Sequence, residues 1–213
     1  VASKLSLYND ALLLCGERPL ATLTDSVEGR RLLDQVYDNG GVDYCLTQGQ
    51  WYFALRTQLI DYDPSEDPQF GFTYAFTQPS DWLLTSAISA DEYLRTPLTE
   101  YQHADGYWYA DITPLYVRYV SNDAQYGGDL SSWPVPFKEF VAAYFASKIV
   151  YSISKDADRR EMVRDLLKKA EHDAKNHSMN TQPPSFLPAG SWASSRRGGR
   201  GSERGNRNGP LIG

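Results

Sequence analysis

SKLSLYNDALLLCGERPLATLTDSVEGRRLLDQVYDNGGVDYCLTQGQWYF, residues Ser3 to Phe53, reads as two amphipathic helices closing on an aromatic cluster, Trp51-Tyr52-Phe53. Ser3 suits an N-cap, because its hydroxyl can accept from an unpaired first-turn amide. Leu5, Tyr8, Leu12 and Cys15 follow at helical spacing on one face. Gly16 stands where a helix end wants a positive φ. Ser26 is placed to cap the second run, where Leu33, Val36, Tyr37 and Tyr44 share a face. Glu28, Arg30, Arg31 and Asp34 then face water. Gly40-Gly41 interrupts this helix, and two interior glycines cost about 2 kcal/mol relative to alanine. A tolerated kink is the expectation, and a close backbone approach the alternative. Two such helices cannot bury their stripes alone, so the rest of the chain must supply partners.

After them the period changes. Trp51 to Ile60 reads as an extended strand, and Tyr62 to Phe70 as a loop rich in Asp and Pro. Phe72, Tyr74 and Phe76 alternate with polar or small residues, the mark of a half-buried strand. Trp82 to Ile88 resumes after Pro79-Ser80-Asp81. Leu98 to His103 and Tyr107 to Asp111 flank Asp105-Gly106, a hairpin signal because that pair tolerates φ > 0. Leu115 to Val120 is the last strand, with Leu115, Val117 and Tyr119 on one face.

Pro134 and Pro136 introduce a long helix, Phe137 to Ser154, whose apolar arc is wide enough for burial in a bundle or an interface. Asp156 is placed to cap a last helix running to about His177, with Met162, Leu166, Ala170 and Ala174 as its stripe and Val163 and Leu167 alongside. Helices come first and last, with strands between. The expectation is an α+β fold: a four-helix bundle from residues 1–50 and 134–177, an inserted small antiparallel β domain at 51–133, and an extended, flexible basic C-terminal tail at 178–213.

The charge is uneven. Residues 193–213 carry five Arg and one Glu, a net +4, which leaves −10 on residues 1–192. Body and tail are therefore expected to meet different partners. The fifteen Tyr favour a β-rich middle or large protein interfaces. The two cysteines, Cys15 and Cys45, lie in helical contexts and read as buried reduced thiols. No leader-like segment or membrane-length apolar run is read, so use in a reducing cytoplasm is expected.

The chemistry-bearing residues make no catalytic constellation. His172 and His177 are five apart, not the spacing of a zinc pair on one helix face. Asp61, Asp63, Glu66 and Asp67 lack the central Gly and terminal Glu of a calcium loop. No catalytic residue, metal site or cofactor is expected. Arg196-Arg197-Gly198-Gly199-Arg200-Gly201 forms a string of guanidiniums able to pair with phosphates or carboxylates. It supports an alternative reading as a nucleic-acid-binding module acting through the tail. Phe186, Leu187 and Trp192 are apolar anchors in the same segment.

Four stretches carry a resemblance. They are Leu7 to Leu20 with its Gly16-Glu17-Arg18-Pro19 exit, and the junction Gln50-Trp51-Tyr52-Phe53-Ala54. The others are Phe72 to Leu84 with Gln78-Pro79-Ser80-Asp81-Trp82, and Pro114 to Val120 followed by Pro136-Phe137. In order and spacing they resemble the tail tubular protein A family, the head-to-tail adaptors of short-tailed bacteriophages. The resemblance spans most of residues 3–175. Gly40-Gly41 and the Arg/Gly tail depart from it.

The resemblance implies a structural virion protein rather than an enzyme. It implies a homo-oligomeric ring of about twelve copies, closed by heterologous contacts. The ring would sit at the neck between capsid and tail after assembly in the host cytoplasm. Helices would face the portal protein and the β part the tail nozzle, a tail tubular protein B-like partner. Tail fibres could attach nearby, and viral DNA would pass through the lumen without sequence readout. On this basis Phe186, Leu187, Trp192, Arg196, Arg197, Arg200, Arg204 and Arg207 are expected to contact the portal, and Phe140, Tyr144 and Phe145 to pack between subunits.

Overall fold

The structure, a computed structural model, describes residues 3–181. Helix α1, Lys4–Cys15, starts in a capping box: Ser3 Oγ accepts from the Ser6 amide at 3.2 Å, and Ser6 Oγ from the Ser3 amide at 3.0 Å. It ends at Gly16, where φ is 75°. A guanidinium N–H of Arg159 donates to the Cys15 carbonyl at 2.6 Å, supplying an acceptor-end partner that α1 lacks in its own last turn.

The second expected helix is two. Helix α2, Glu28–Asp38, and helix α3, Gly41–Thr47, are separated at Asn39-Gly40. The kink expected at Gly40-Gly41 is thus a full break. Gly40 has φ 77°, and a Cβ added at Gly41 would lie 2.6 Å from the Val36 carbonyl and 3.0 Å from the Phe145 ring. The close approach needs one glycine and the reversal the other. The N-cap of α2 is Val27, with no side-chain cap; Ser26 instead accepts from Arg31. Asp34 does not simply face water. It accepts from the buried Tyr8 hydroxyl at 2.8 Å and pairs with Arg30 and Lys4, tying α2 to α1.

Helix α4, Val135–Ser154, contacts all four other helices and is the axis of the helical layer. Helix α5, Ala157–Thr181, follows through Lys155, with the Asp156 carboxylate accepting from the Asp158 amide at 3.0 Å. The described residues hold five α-helices where four were expected, with α1, α2, α3 and α5 gathered on α4. Helix α5 runs four residues past His177, so Ser178 to Thr181 of the expected tail are helical. Ser178 is buried, accepts from the Tyr52 amide and donates to the Gln50 carbonyl, each at 3.2 Å. The buried column of α5 is Val163, Ala174 and Ser178, with Leu167 and Ala170 packed beside it. Met162 and Leu166, expected in the stripe, lie on the wet side of that column.

Among the described residues six strands form two antiparallel sheets. One has the order β1 (Leu55–Ile60), β6 (Leu115–Ser121), β3 (Trp82–Ser89); the other β2 (Tyr74–Thr77), β5 (Tyr107–Ala110), β4 (Gln102–Ala104). The β4–β5 turn is Asp105-Gly106, with φ 51° and 82°. Ile60, Phe76, Ile88, Trp108, Leu115, Val117 and Tyr119 form a core shared by the sheets. The helical layer has a separate core, which Ala54 and Val120 join at its border with the strands. Trp51 to Phe53 do not start a strand: Tyr52 to Ala54 form a turn, closed by the Ala54 amide donating to the Trp51 carbonyl at 2.9 Å. The Trp51 ring packs 4.8 Å from Phe137 while its N–H donates to the carbonyls of Cys45 and Leu46, and the backbone must turn to put it there.

Candidate interaction surfaces

The helical layer buries its aromatic residues inward. Phe140 and Phe145, expected between subunits, are buried in the chain's own core. Phe145 touches the rings of Tyr8 and Tyr37, and Phe140 those of Trp51 and Phe137. Neither ring is available to a neighbour. Tyr144 is half-buried and stacks on Tyr44 at 4.7 Å. The wide apolar arc of α4 is wide because four helices cover it.

Exposed apolar groups lie elsewhere. Leu13 is 74% exposed, Val135 67% and Met162 51%. A groove of about 540 Å³ opens between α1, α4 and α5, with Leu13, Leu14, Val135, Ala142, Leu166 and Ala170 in its walls. Lys138 pairs with Asp10 at 2.8 Å across one wall. Apolar walls rimmed by charge suit a macromolecular contact better than small-molecule chemistry.

The β excursion is held by a polar hub. Asp81 accepts from Arg56 at 2.9 Å and from Ser121 at 2.5 Å, with the Tyr119 hydroxyl 3.3 Å away. Burial raises the carboxyl's pKa, but the hydrogen bonds from Ser121 and Arg56 outweigh it and hold it below the usual range. In sequence Asp81 is only part of the Pro79-Ser80-Asp81 break, and this role is not legible there because its partners are distant along the chain. Gly127 and Trp133 close the neighbouring loop, with the Trp133 N–H donating to the Gly127 carbonyl at 2.8 Å.

Charge is divided between the layers. Residues 55–132 hold twelve Asp and Glu against three Arg, a net −9 without a lysine. Residues 3–54 and 133–181 hold fourteen acids against thirteen Lys and Arg. A segment-by-segment count would have revealed this from sequence.

Cys15 and Cys45 are buried free thiols, and burial pushes Cys15 up to about 11 and Cys45 higher still. Among the described residues no group of three His, Cys, Asp or Glu stands close enough to hold a metal ion. No helix among them is long and apolar enough to cross a membrane. The expected portal contacts Phe186, Leu187, Trp192, Arg196, Arg197, Arg200, Arg204 and Arg207 lie outside the described residues. No protein-family model matches the chain, and neither does any curated protein sequence.

Proposed function

We propose that this chain is a non-catalytic structural subunit: a head-to-tail adaptor of a short-tailed bacteriophage that joins others in a ring between portal and tail nozzle. The observation that carries the reading is the open apolar face of the helical layer, where the exposed Leu13 and Val135 line the α1/α4/α5 groove. An apolar face of that kind is what a subunit brings to packing against a copy or a portal. The unequal charge of the two layers supports two ends that meet different partners. A net −9 excursion also repels DNA, which suits a channel that lets it slide. On this reading the helical layer and basic tail meet the portal, and the β unit meets the nozzle.

The test is mass photometry and electron microscopy of the full-length protein with the purified portal of the same virus. The expected result is closed rings on the portal, lost in Leu13→Asp and Val135→Asp variants that melt like wild type. A chain that never forms rings there but binds RNA through its Arg/Gly segment overturns the reading.

A further inference from the structure

The outer face of the β2–β5–β4 sheet is closed in an unusual way. Phe76, Trp108 and Ala110 point to the shared core, so Ala75, Tyr107 and Tyr109 point to the opposite face. That face is not wet at its centre: Ala75 and Tyr109 are fully buried. The loop of residues 61–72 covers it. Its Asp63 amide donates to the Ala75 carbonyl at 2.8 Å, and the Phe70 ring stands edge-on to Tyr109 at 5.5 Å.

The cover is poorly matched to what lies beneath. The Tyr109 hydroxyl has no hydrogen-bond partner among the described residues, although the side chain is completely buried. An unmade bond of this kind costs about 1–3 kcal/mol. Glu66 lies on the covering loop and Asp105 in the β4–β5 turn, two residues before Tyr107, and none of the ion pairs among the described residues uses either. Asp63 and Asp111, by contrast, are occupied by Ser65, Thr77 and Thr73. Phe70 sits at φ 58° with Gly71 at 84° in a turn closed by Phe72 N–H to Gln69 at 3.1 Å, a place where Asn or Gly is favoured. Phe70 is also 55% exposed.

We infer that this loop, with Glu66, Asp105 and the hydroxyl of Tyr109 beneath Phe70, is a docking site for an arginine or lysine side chain on an extended basic segment of another protein. Two free carboxylates and a phenol oxygen supply the acceptors a guanidinium requires, and the rings of Phe70 and Tyr107 supply π faces. The net −9 of residues 55–132 attracts such a segment from a distance and repels nucleic acid. A metal ion fits worse, since the described residues offer no group of three ligating side chains. Phe70 must swing aside, and Gly71 beside it gives the backbone that freedom. The inference goes beyond the adaptor reading and holds whether or not rings form.

Calorimetric titration of the full-length protein with a synthetic oligo-arginine peptide tests it. Wild type is expected to bind with an affinity that falls with salt. Glu66→Gln with Asp105→Asn is expected to weaken binding about tenfold, and Tyr109→Phe severalfold. Asp91→Asn with Glu92→Gln removes the same charge from another loop and is expected to change binding less than about twofold. Circular dichroism melts check that each variant folds, and the amide NMR signal of Gly71 is expected to shift on titration. A wild type that binds no peptide overturns the inference. So does an equal loss in both charge pairs, or an unchanged Tyr109→Phe in a folded protein.

Discussion

The Arg56 guanidinium meets the Asp81 carboxylate at 2.9 Å, joining β1 to the residue that leads into β3, across the strand between them. Ser121, on that central strand, donates to the same carboxylate. Three strands are thus fastened through one mostly buried side chain. Asp81→Asn keeps the shape but removes the charge that two of these bonds depend on. The expected loss is about 2 kcal/mol, read as a lower urea midpoint with unchanged slope.

The same group sets a pH dependence. Its folded pKa is depressed, so at mildly acid pH the unfolded chain binds the proton first. Its stabilisation is complete above the unfolded carboxylate pKa of about 4 and disappears as pH falls through the lower folded value. Asp34 is depressed too, with burial opposing and hydrogen bonds from Tyr8 and Lys4 prevailing, so it acts in the same window. Urea midpoints measured at falling pH are expected to drop below about pH 4, and less steeply in Asp81→Asn than in wild type. Equal slopes would mean that Asp81 is not a source of the acid lability.

At Gly40-Gly41 the two glycines have separate duties. Gly41→Ala places a methyl against the Val36 carbonyl and the Phe145 ring, and is expected to cost about 2 kcal/mol or more. Gly40 has open space around its missing Cβ but a left-handed φ, so Gly40→Ala is expected to cost about 1 kcal/mol and Gly40→Asn less. Thermal melts of the three variants check the order. A harmless Gly41→Ala would remove the steric account of the break between α2 and α3.

These outcomes separate what was legible in the sequence from what was not. Ser3, Gly16, Asp105-Gly106 and Asp156 act on backbone groups a few residues away, and each does what its local chemistry predicts. Gly40-Gly41 was ambiguous because a kink and a break look alike until Phe145, far along the chain, is in place. In α5 two adjacent columns are both apolar, and only packing against α4 decides that Val163 goes in while Met162 stays out. The arc on α4 showed that Phe140 and Phe145 would be covered, but not that the chain itself would cover them. Asp81 and Tyr109 could not be singled out, because a buried hub and an orphaned hydroxyl are properties of contacts between strands.

Ser178 stitches the last turns of α5 to the segment entering the β unit. Its hydroxyl serves the Tyr52 amide and the Gln50 carbonyl, more than a hundred residues earlier. Ser178→Ala leaves both without this partner, and is expected to cost about 1–2 kcal/mol. The effect should also be local. Hydrogen exchange of amides in residues 175–181 is expected to accelerate more than that of residues 160–167. Uniform acceleration along the helix would show instead that Ser178 contributes only to global stability.

Phe140 and Leu13 give opposite expectations that bear on where other molecules bind. Phe140 is buried among Trp51 and Phe137, so Phe140→Ala opens a cavity and is expected to cost about 3–5 kcal/mol in the isolated chain. Leu13 projects from α1 beside the groove, so Leu13→Ala is expected to shift stability by less than about 0.5 kcal/mol. If the open face of α1, α4 and α5 is the packing surface, Leu13→Ala lowers assembly on the portal while leaving the melt unchanged. Phe140→Ala lowers the melt, and its assembly defect tracks the fraction unfolded. Urea denaturation beside mass photometry at a fixed protein concentration separates the two behaviours. A Leu13→Ala chain that assembles like wild type moves the subunit contact away from this groove.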